Sequence, residues 1–298
     1  MIAQLNLAMD TTLLYPLAEI CHLESPGTDV VAVRPRMTEK SVELRGDRAA
    51  LRNGLGRLRE RIRAWALDAG VVRLRGTGAW EANMLRRALL TRLEVVAVDR
   101  VTIEENTTGT PDEVIAHRLG QVALRGDASM TGHLEHRRAE EVLSGCIDCV
   151  GGSVVDKNVV LAKPGSLRLT FTCTSGRASA HGKFAAVASP AVLPHWRLRG
   201  ASSSLQALQD LACEGRDVEV RGDLATCTTT LDRAVLVDLL CLHNLAIDID
   251  EKAEDFDLYI ESLGQYDDEV CLEKARDALL MELHDIEARL ALDGGVGA

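Results

Sequence analysis

The chain has few aromatic residues, no long apolar segment and no basic region at its N-terminus. Aromatic side chains make up 3% of the 298 residues, which disfavours the stacking of nucleic-acid bases on aromatic platforms. No apolar run approaches the roughly 20 residues that a membrane helix needs, and Asp238 interrupts the best candidate, 234–242. Because the first basic residue is Arg34, the positive region of a secretory signal is missing, and we expect an intracellular protein.

The charge balance disfavours direct binding of nucleic acid. Acidic residues number 45 against 34 lysines and arginines, so the formal net charge is -11, whereas phosphate binding depends on a basic surface. An apolar fraction of 46% and a charged fraction of 27% are typical of a folded globular protein. The length is sufficient for one large or two ordinary domains.

Hydrophobic periodicity predicts an amphipathic helix over 47–70. An apolar residue recurs every three or four positions, which places the whole set on one face: Leu51, Leu55, Leu58, Ile62 and Trp65. The other faces carry Arg48, Arg52, Arg57, Arg59, Arg61 and Arg63. We expect a solvated helix docked on its own domain, since a charged outer face is usual for a surface helix. A surface for an acidic partner or RNA is the alternative.

The remaining pattern mixes helices and strands, which indicates the α+β class. Apolar spacing favours helices over 81–93 and 112–120, and alternation favours strands over 29–33, 71–75, 95–98, 100–104, 166–174 and 256–262. A long helix is predicted over 267–292, with an apolar stripe of Leu272, Leu279, Leu283, Ile286 and Leu290. Its length of about 26 residues corresponds to roughly 39 Å, and such a stripe is expected to pack against a partner helix.

Three motifs follow one another in the segment 83–120. The first motif, N-x-L-R-R, lies on a predicted helix and consists of Asn83, Leu85, Arg86 and Arg87. The second, N-T-T, ends a predicted strand and consists of Asn106, Thr107 and Thr108. The third, D-E-x-x-A-H-R-L-G, consists of Asp112, Glu113, Ala116, His117, Arg118, Leu119 and Gly120. The order and spacing closely resemble the signature of the α/D-like assembly subunits of multisubunit RNA polymerases. These are bacterial α, archaeal D and the third-largest subunit of eukaryotic RNA polymerase II. H-x-K-F at 181–184 and the strand and helix from 255 onward resemble the same subunits.

The resemblance implies a two-part α+β fold and a non-catalytic role in transcription. A dimerisation domain at 29–98 plus 250–292, with an extra helix at 47–69, would be interrupted by a mostly β inserted domain at 99–249. An N-terminal arm at 1–28 and a tail at 293–298 would complete the chain. The implied partners are a smaller α-like subunit, which forms a heterodimer, and the second-largest and largest polymerase subunits. Direct binding of nucleic acid or membrane is not implied.

The motifs and the C-terminal stripe are therefore candidate subunit contacts. Arg86 and Arg87 lie off the apolar face of their helix, so they can make bidentate contacts to carboxylates of a neighbouring subunit. Asn106 is a further candidate contact. Two roles stay open for the polar groups of the short helix that follows, contact with another subunit or bracing of the helix within the chain: Asp112, Glu113, His117 and Arg118.

Cysteine spacing offers one candidate metal site. Of eight cysteines only Cys146 and Cys149 lie close together, in a region where relatives of the resembled family carry zinc or iron–sulfur cysteines. His133 and His136 would complete a tetrahedral zinc set, although the upstream cysteine pair of those relatives is missing. We expect that no cofactor is required, with zinc at these four residues as the alternative.

Two other functional classes remain open from the sequence. One is a zinc or redox protein that uses Cys146 and Cys149, and the other is an RNA-binding regulator that uses the Arg-rich helix 47–69. The spacing of a nucleophile elbow, a P-loop or a zinc-protease helix is absent, so catalysis is not expected. The reduced cysteine loop and the unmatched flanks favour a divergent, virus-encoded member. The expected location is then the cytoplasm, nucleus or virion, or the nucleus for a cellular member.

Overall fold

The computed structural model describes residues 2–7, 31–33, 42–210, 216–229, 233–250 and 253–292. They divide into two compact units, the first within 1–87, 190–260 and 276–298, and the second within 88–189 and 261–275. The helices are α1 (Arg48–Ala64), α2 (Ala79–Thr91), α3 (Asp112–Gly120), α4 (Ser202–Asp210), α5 (Arg233–Leu242) and α6 (Asp268–Leu292). The predicted α+β class is confirmed.

The first unit is built on a large antiparallel sheet. Its strands are β4 (Leu67–Asp68), β5 (Val71–Leu74), β12 (Ala191–Gly200), β13 (Arg216–Arg221), β14 (Leu224–Thr229), β15 (Ile247–Ile249) and β16 (Asp255–Tyr259). The order is β13-β14-β12-β16-β5-β4, with β15 paired to β12. A separate sheet has the order β1-β3-β2, formed by β1 (Ile2–Leu7), β2 (Val31–Val33) and β3 (Val42–Asp47).

Alternation places one face of the large sheet in the core. Trp196 and Leu198 of β12 pack with Ala225 and Cys227 of β14 and with the buried leucines of α4 and α5: Leu205, Leu208, Leu236 and Leu240. The apolar stripe of α1 is also buried, with four leucine and isoleucine side chains at 0% exposure: Leu51, Leu55, Leu58 and Ile62. Because side chains of a strand alternate between the two faces, the charged residues between these apolar ones lie on the opposite face.

The second unit contains a four-stranded antiparallel sheet in the order β6-β11-β7-β9. Its strands are β6 (Glu94–Asn106), β7 (Leu124–Arg138), β9 (Ile147–Val154) and β11 (Gly165–Arg177), and a small pair joins β8 (Val142–Leu143) to β10 (Val160–Ala162). Helix α3 covers the sheet with Ile115 and Leu119, which share one core with Leu134, Leu169 and Phe171. Short 3₁₀ turns lie at Ser144–Cys146 and Gly182–Phe184.

Most of the predicted elements exist with small changes in their ends. The helix predicted over 112–120 is α3, that over 267–292 is α6, and that over 47–70 is the shorter α1. The two strands predicted over 95–98 and 100–104 form one strand, β6, so the prediction of a break between them was wrong. The apparent break in the sequence pattern comes from a β-bulge within the strand. Val98 pairs with Cys173 and Arg100 with Thr172, which leaves Asp99 as the extra residue.

The observed units do not share the boundaries of the predicted domains. Residues 190–249 lie in the first unit, because β12 pairs with β14 and with β16 in the same sheet. The assignment of 29–98 plus 250–292 to dimerisation and of 99–249 to an insert stays a prediction. Most of the predicted arm at 1–28 and the tail at 293–298 lie outside the described residues. Among the described helices, none is both long and apolar enough to cross a membrane.

Candidate subunit-docking site

The N-T-T motif forms a turn that is organised by the side chain of Asn106. Its amide nitrogen donates to the Thr110 carbonyl oxygen at 2.8 Å and to a carboxylate oxygen of Asp112 at 2.6 Å. Its amide oxygen accepts from the backbone nitrogen and the hydroxyl of Thr108, at 2.9 and 2.7 Å. Thr108 and Thr110 are buried, so these bonds satisfy polar groups that bulk water does not reach. Asn106 therefore fixes the connection between β6 and α3.

Helix α3 turns a polar face to the solvent. Its exposed side chains include Asp112, Glu113, His117 and Arg118. Asp112 accepts from Asn106, and Arg118 Nη1 donates to the Leu161 carbonyl oxygen at 3.3 Å, so these two residues brace the helix within the chain. Acidic Asp112 and Glu113 lie in the first turn and basic His117 and Arg118 in the last, which is the arrangement that a helix dipole favours. Contact of this face with another subunit stays a prediction.

The N-x-L-R-R helix, α2, presents fewer side chains that could contact a partner subunit than the sequence predicts. Leu85 is 0% exposed and belongs to the core, so its side chain leaves no surface for a partner. Arg86 donates from Nε and Nη2 to the Asn83 amide oxygen, at 3.1 and 2.8 Å. Arg87 is partly buried. The proposed contacts of Asn83, Arg86 and Arg87 with a neighbouring subunit stay predictions.

The apolar stripe of α6 is covered by residues of the same chain. Its five side chains are at most 2% exposed: Leu272, Leu279, Leu283, Ile286 and Leu290. Within the first unit, Arg276 Nη1 donates to the Trp65 carbonyl oxygen at 3.0 Å, and Glu287 forms an ion pair with Arg59 of α1. A partner helix would reach the stripe only if such contacts opened. The outer face is accessible, and Met281 there is 70% exposed.

Two arginines of α1, Arg59 and Arg61, contact the chain itself. Besides the pair between Arg59 and Glu287, Arg61 Nε lies 3.0 Å from a Glu81 carboxylate oxygen of α2, and Arg61 Nη2 donates to the Gly76 carbonyl oxygen at 2.6 Å. Together with the buried leucine stripe, these contacts favour the expectation of a helix docked on its own unit. Binding of RNA by this helix has no further support in the structure.

The four candidate metal ligands do not converge. His133 and His136 are three positions apart in β7, so they lie on opposite faces of the strand: His136 is 6% exposed, whereas the His133 side chain is 57% exposed and lies beside Asp148. Among the residues that the structure describes, no group of three or more His, Cys, Asp or Glu side chains could hold a metal ion. The alternative of a tetrahedral zinc set from Cys146, Cys149, His133 and His136 is contradicted for this geometric reason.

Two thiols of this region are protected by burial. Burial, followed by the charge of Asp148, raises the pKa of the Cys149 thiol above its usual value. Burial, followed by the neighbouring Cys149, raises the pKa of Cys173 to about 11. Both side chains pack against the core of the second unit, so they behave as small apolar groups. Cys146 packs against the same core, but its sulfur also lies 3.7 Å from His136 Nδ1.

The H-x-K-F motif closes the edge of the four-stranded sheet. Strand β6 is an outer strand, and Lys183 Nζ donates to its Val98 carbonyl oxygen at 3.0 Å and lies 3.3 Å from the Asp99 carboxylate. His181 Nδ1 accepts from the Lys183 backbone nitrogen at 3.1 Å, and Phe184 is buried. The Lys183 side chain thus occupies a carbonyl group of an edge strand that would otherwise be open to pairing with another chain, so the motif has a structural role at the bulge.

A polar ladder that the sequence did not reveal crosses the large sheet. The Thr228 hydroxyl lies 3.1 Å from His195 Nδ1, His195 Nε2 lies 3.0 Å from one Asp257 carboxylate oxygen, and Arg75 Nη2 donates to the other at 2.9 Å. The side chains of His195 and Asp257 are only 15% and 13% exposed. No signal in the sequence marks this group, because its members come together only through the pairing of distant strands.

Comparison with known proteins gives matches to polymerase subunits. The chain matches no protein-family model. A conjugation stage-specific protein of Tetrahymena thermophila is 54% identical over 43 residues, 14% of each chain. Subunit 3 of DNA-directed RNA polymerases II, IV and V of Arabidopsis thaliana is 39% identical over 71 residues, 24% of this chain and 22% of the relative. DNA-directed RNA polymerase subunit Rpo3 of Pyrobaculum neutrophilum is 28% identical over 223 residues, 65% of this chain and 80% of the relative.

Most of these matches are partial. Five of the relatives, among them those of Tetrahymena thermophila and Arabidopsis thaliana, are matched over only 14% to 58% of their own length. The chain is similar to archaeal and eukaryotic polymerase subunits of the α/D-like kind, so the resemblance inferred from the motifs is confirmed.

Proposed function

We propose that the chain is a non-catalytic assembly subunit of a DNA-directed RNA polymerase. It pairs with a smaller α-like subunit and docks the second-largest and largest subunits, which carry out RNA synthesis. The single observation that carries this proposal is the similarity to archaeal subunit Rpo3, which extends over 223 residues. The role requires no cofactor, and it places the chain inside the cell or virion where the polymerase works.

The geometry of α3 supports a docking role for its exposed face. The bonds of Asn106 hold the start of the helix, and Arg118 holds its end to β10. A face held in this way loses little conformational entropy when a partner binds. Glu113 and His117 are exposed on it, and they offer one carboxylate and one imidazole for polar contacts with a large subunit.

The buried stripe of α6 restricts how the smaller subunit can bind. Since Leu279 and Leu283 are fully buried, the proposed heterodimer uses groups on the outer faces of the helices. Met281 of α6 is 70% exposed, and the neighbouring His284 and Asp285 are exposed as well. Methionine is enriched in interfaces relative to the rest of a protein surface, so Met281 is a candidate contact.

Affinity purification from the source organism tests the proposal. A tagged wild-type chain is expected to recover the two large polymerase subunits, identified by mass spectrometry. The double variant Glu113→Lys/His117→Glu should reduce their recovery by about tenfold or more, because misplaced charges at an interface cost several kcal/mol. The matched control is Glu135→Lys/Arg137→Glu, which exchanges the charges of an exposed ion pair on β7 and should leave recovery unchanged.

The outcomes separate two parts of the proposal. If the wild-type chain recovers no large polymerase subunit, the assembly role is refuted. If the wild-type chain recovers them and the Glu113→Lys/His117→Glu variant does so equally well, the subunit role stands and docking through α3 is refuted. Thermal unfolding of the control should match that of the wild type, since both substituted side chains are exposed. The α3 variant reverses charges that the helix dipole favours, so its stability should fall by no more than about 1–2 kcal/mol.

A further inference from the structure

Cys146 lies beside a buried histidine in the second unit. Its sulfur is 3.7 Å from His136 Nδ1, and the other ring nitrogen, Nε2, is 3.2 Å from the Glu140 carbonyl oxygen. His136 is 6% exposed, whereas Cys146 is only partly buried. A base that is buried and a thiol that solvent reaches are therefore neighbours.

The Glu140 carbonyl decides which nitrogen of His136 carries the proton. A carbonyl oxygen can only accept a hydrogen bond, so Nε2 must donate to it and holds a proton in the neutral ring. Nδ1 then presents a lone pair to the Cys146 sulfur and can accept the thiol proton. A nucleophile, a base in contact with it and a third group that orients the base form the arrangement that activates cysteine in covalent catalysis.

The backbone around Cys146 is held on both sides. The Ser144 hydroxyl donates to the Asp156 carbonyl oxygen at 2.6 Å and accepts from the Val159 backbone nitrogen at 3.1 Å. The Gly145 backbone nitrogen donates to the Lys157 carbonyl oxygen at 2.9 Å, and a Cβ at residue 145 would lie 2.9 Å from that same oxygen. The 3₁₀ turn that carries Cys146 is thus fixed, and the sulfur has little freedom to leave His136.

We propose that Cys146 is a reactive thiol that forms mixed disulfides with small disulfides. His136 accepts the thiol proton at Nδ1 while the sulfur attacks one sulfur of the small disulfide. The disulfide bond breaks as the new bond to Cys146 forms, and the departing thiolate takes the proton from His136. Cys146 is oxidised and half of the small disulfide is reduced to a thiol, so atoms and electrons balance.

Other cysteines of the chain serve for comparison with the expected reactivity of Cys146. Cys146, Cys149 and Cys173 all pack against the same core, but only the Cys146 sulfur is given a histidine ring nitrogen as a neighbour. Burial raises the pKa of Cys149 and Cys173, so these two have little thiolate to offer at neutral pH. Cys241 is exposed and serves as the reference for a thiol that solvent reaches. The inference does not depend on the polymerase role, since it rests on the geometry around His136 alone.

Reaction with glutathione disulfide tests the proposal on the full-length chain. The protein is mixed with glutathione disulfide at neutral pH, quenched with acid at increasing times and analysed peptide by peptide by mass spectrometry. Cys146 is expected to form the mixed disulfide about tenfold faster than Cys241, a modest value for assistance by a base. His136→Gln should remove this advantage, because glutamine cannot take up the proton.

The matched control is His133→Gln, on the opposite face of the same strand, which should leave the rate at Cys146 unchanged. The comparison of Cys146 with Cys241 uses the wild-type chain, so it decides the matter even if His136→Gln does not fold. Equal rates at Cys146 and Cys241 would overturn the proposal. So would bound zinc that must be removed before Cys146 reacts, since the sulfur would then be a metal ligand.

Discussion

Replacement of Asn106 by alanine is expected to open the turn between β6 and α3. The substitution removes all four hydrogen bonds of the side chain, two donated to Thr110 and Asp112 and two accepted from Thr108. Asp112 is exposed and can bind water instead. Thr108 is 3% exposed and Thr110 6%, so the backbone groups of these two residues lose their partners in a place that water does not reach.

The magnitude follows from the two buried groups. A buried polar group left without a partner costs about 1–3 kcal/mol, so two such groups give an expected local loss of about 2–6 kcal/mol. At about 1.4 kcal/mol for each factor of ten, amide hydrogen exchange over 105–116 should accelerate roughly 30- to 20,000-fold. Exchange measured by mass spectrometry reports this segment alone, which matters because a chain of two units need not unfold in one step.

Asn158→Ala provides the control, since this asparagine has an exposed side chain in the same unit and its loss should change exchange over 105–116 by no more than about twofold. Unchanged exchange in the Asn106→Ala chain would refute the assignment of the turn's stability to Asn106.

Three further predictions concern packing and pH. Leu283→Ala should lower the free energy of unfolding by about 2–5 kcal/mol, because the side chain is fully buried. Met281→Ala, on the exposed face of the same helix, should change it by less than about 0.5 kcal/mol. Equal losses of stability in thermal unfolding of the two variants would contradict this prediction. Gly132→Ala would place a Cβ 2.3 Å from Phe171 Cζ, so urea unfolding should show a loss of about 1–3 kcal/mol, partly restored by Phe171→Leu. Burial raises the pKa of the Cys271 thiol from 9.0 to about 11, so this thiol ionises in the unfolded chain at a lower pH than in the folded chain. The free energy of unfolding should therefore be constant below pH 9.0 and fall as the pH rises from 9 to 11. Cys271→Ala should flatten the dependence of thermal unfolding on pH in this range.

The sequence was informative where one element carries its own signal. Helix α3 begins after Pro111 and its apolar positions are regularly spaced, so its predicted ends agree with the structure. The stripe of α6 was also visible, but its burial in the same chain was not, because periodicity shows that a face is apolar and not what covers it. The break expected in β6 came from Asp99, whose bulge interrupts the alternation that marks a strand.

The candidate site was harder to predict because it depends on geometry across strands. His133 and His136 have the spacing of zinc ligands, yet the two-residue period of a strand separates them. His195 and Asp257 are far apart in the sequence and meet only because β12 pairs with β16. The contact of Cys146 with His136 likewise requires a 3₁₀ turn beside β7, which neither residue indicates in the sequence.

The place of β16 in the large sheet has a consequence for biosynthesis. This strand pairs with β5 on one side and with β12 on the other, joining Phe256 to Leu74 and Leu258 to Val192. During translation the residues of β5 and β12 leave the ribosome first, and the strand that lies between them, β16, is supplied only afterwards. A chain truncated before residue 255 would leave two apolar strand edges open, which favours aggregation.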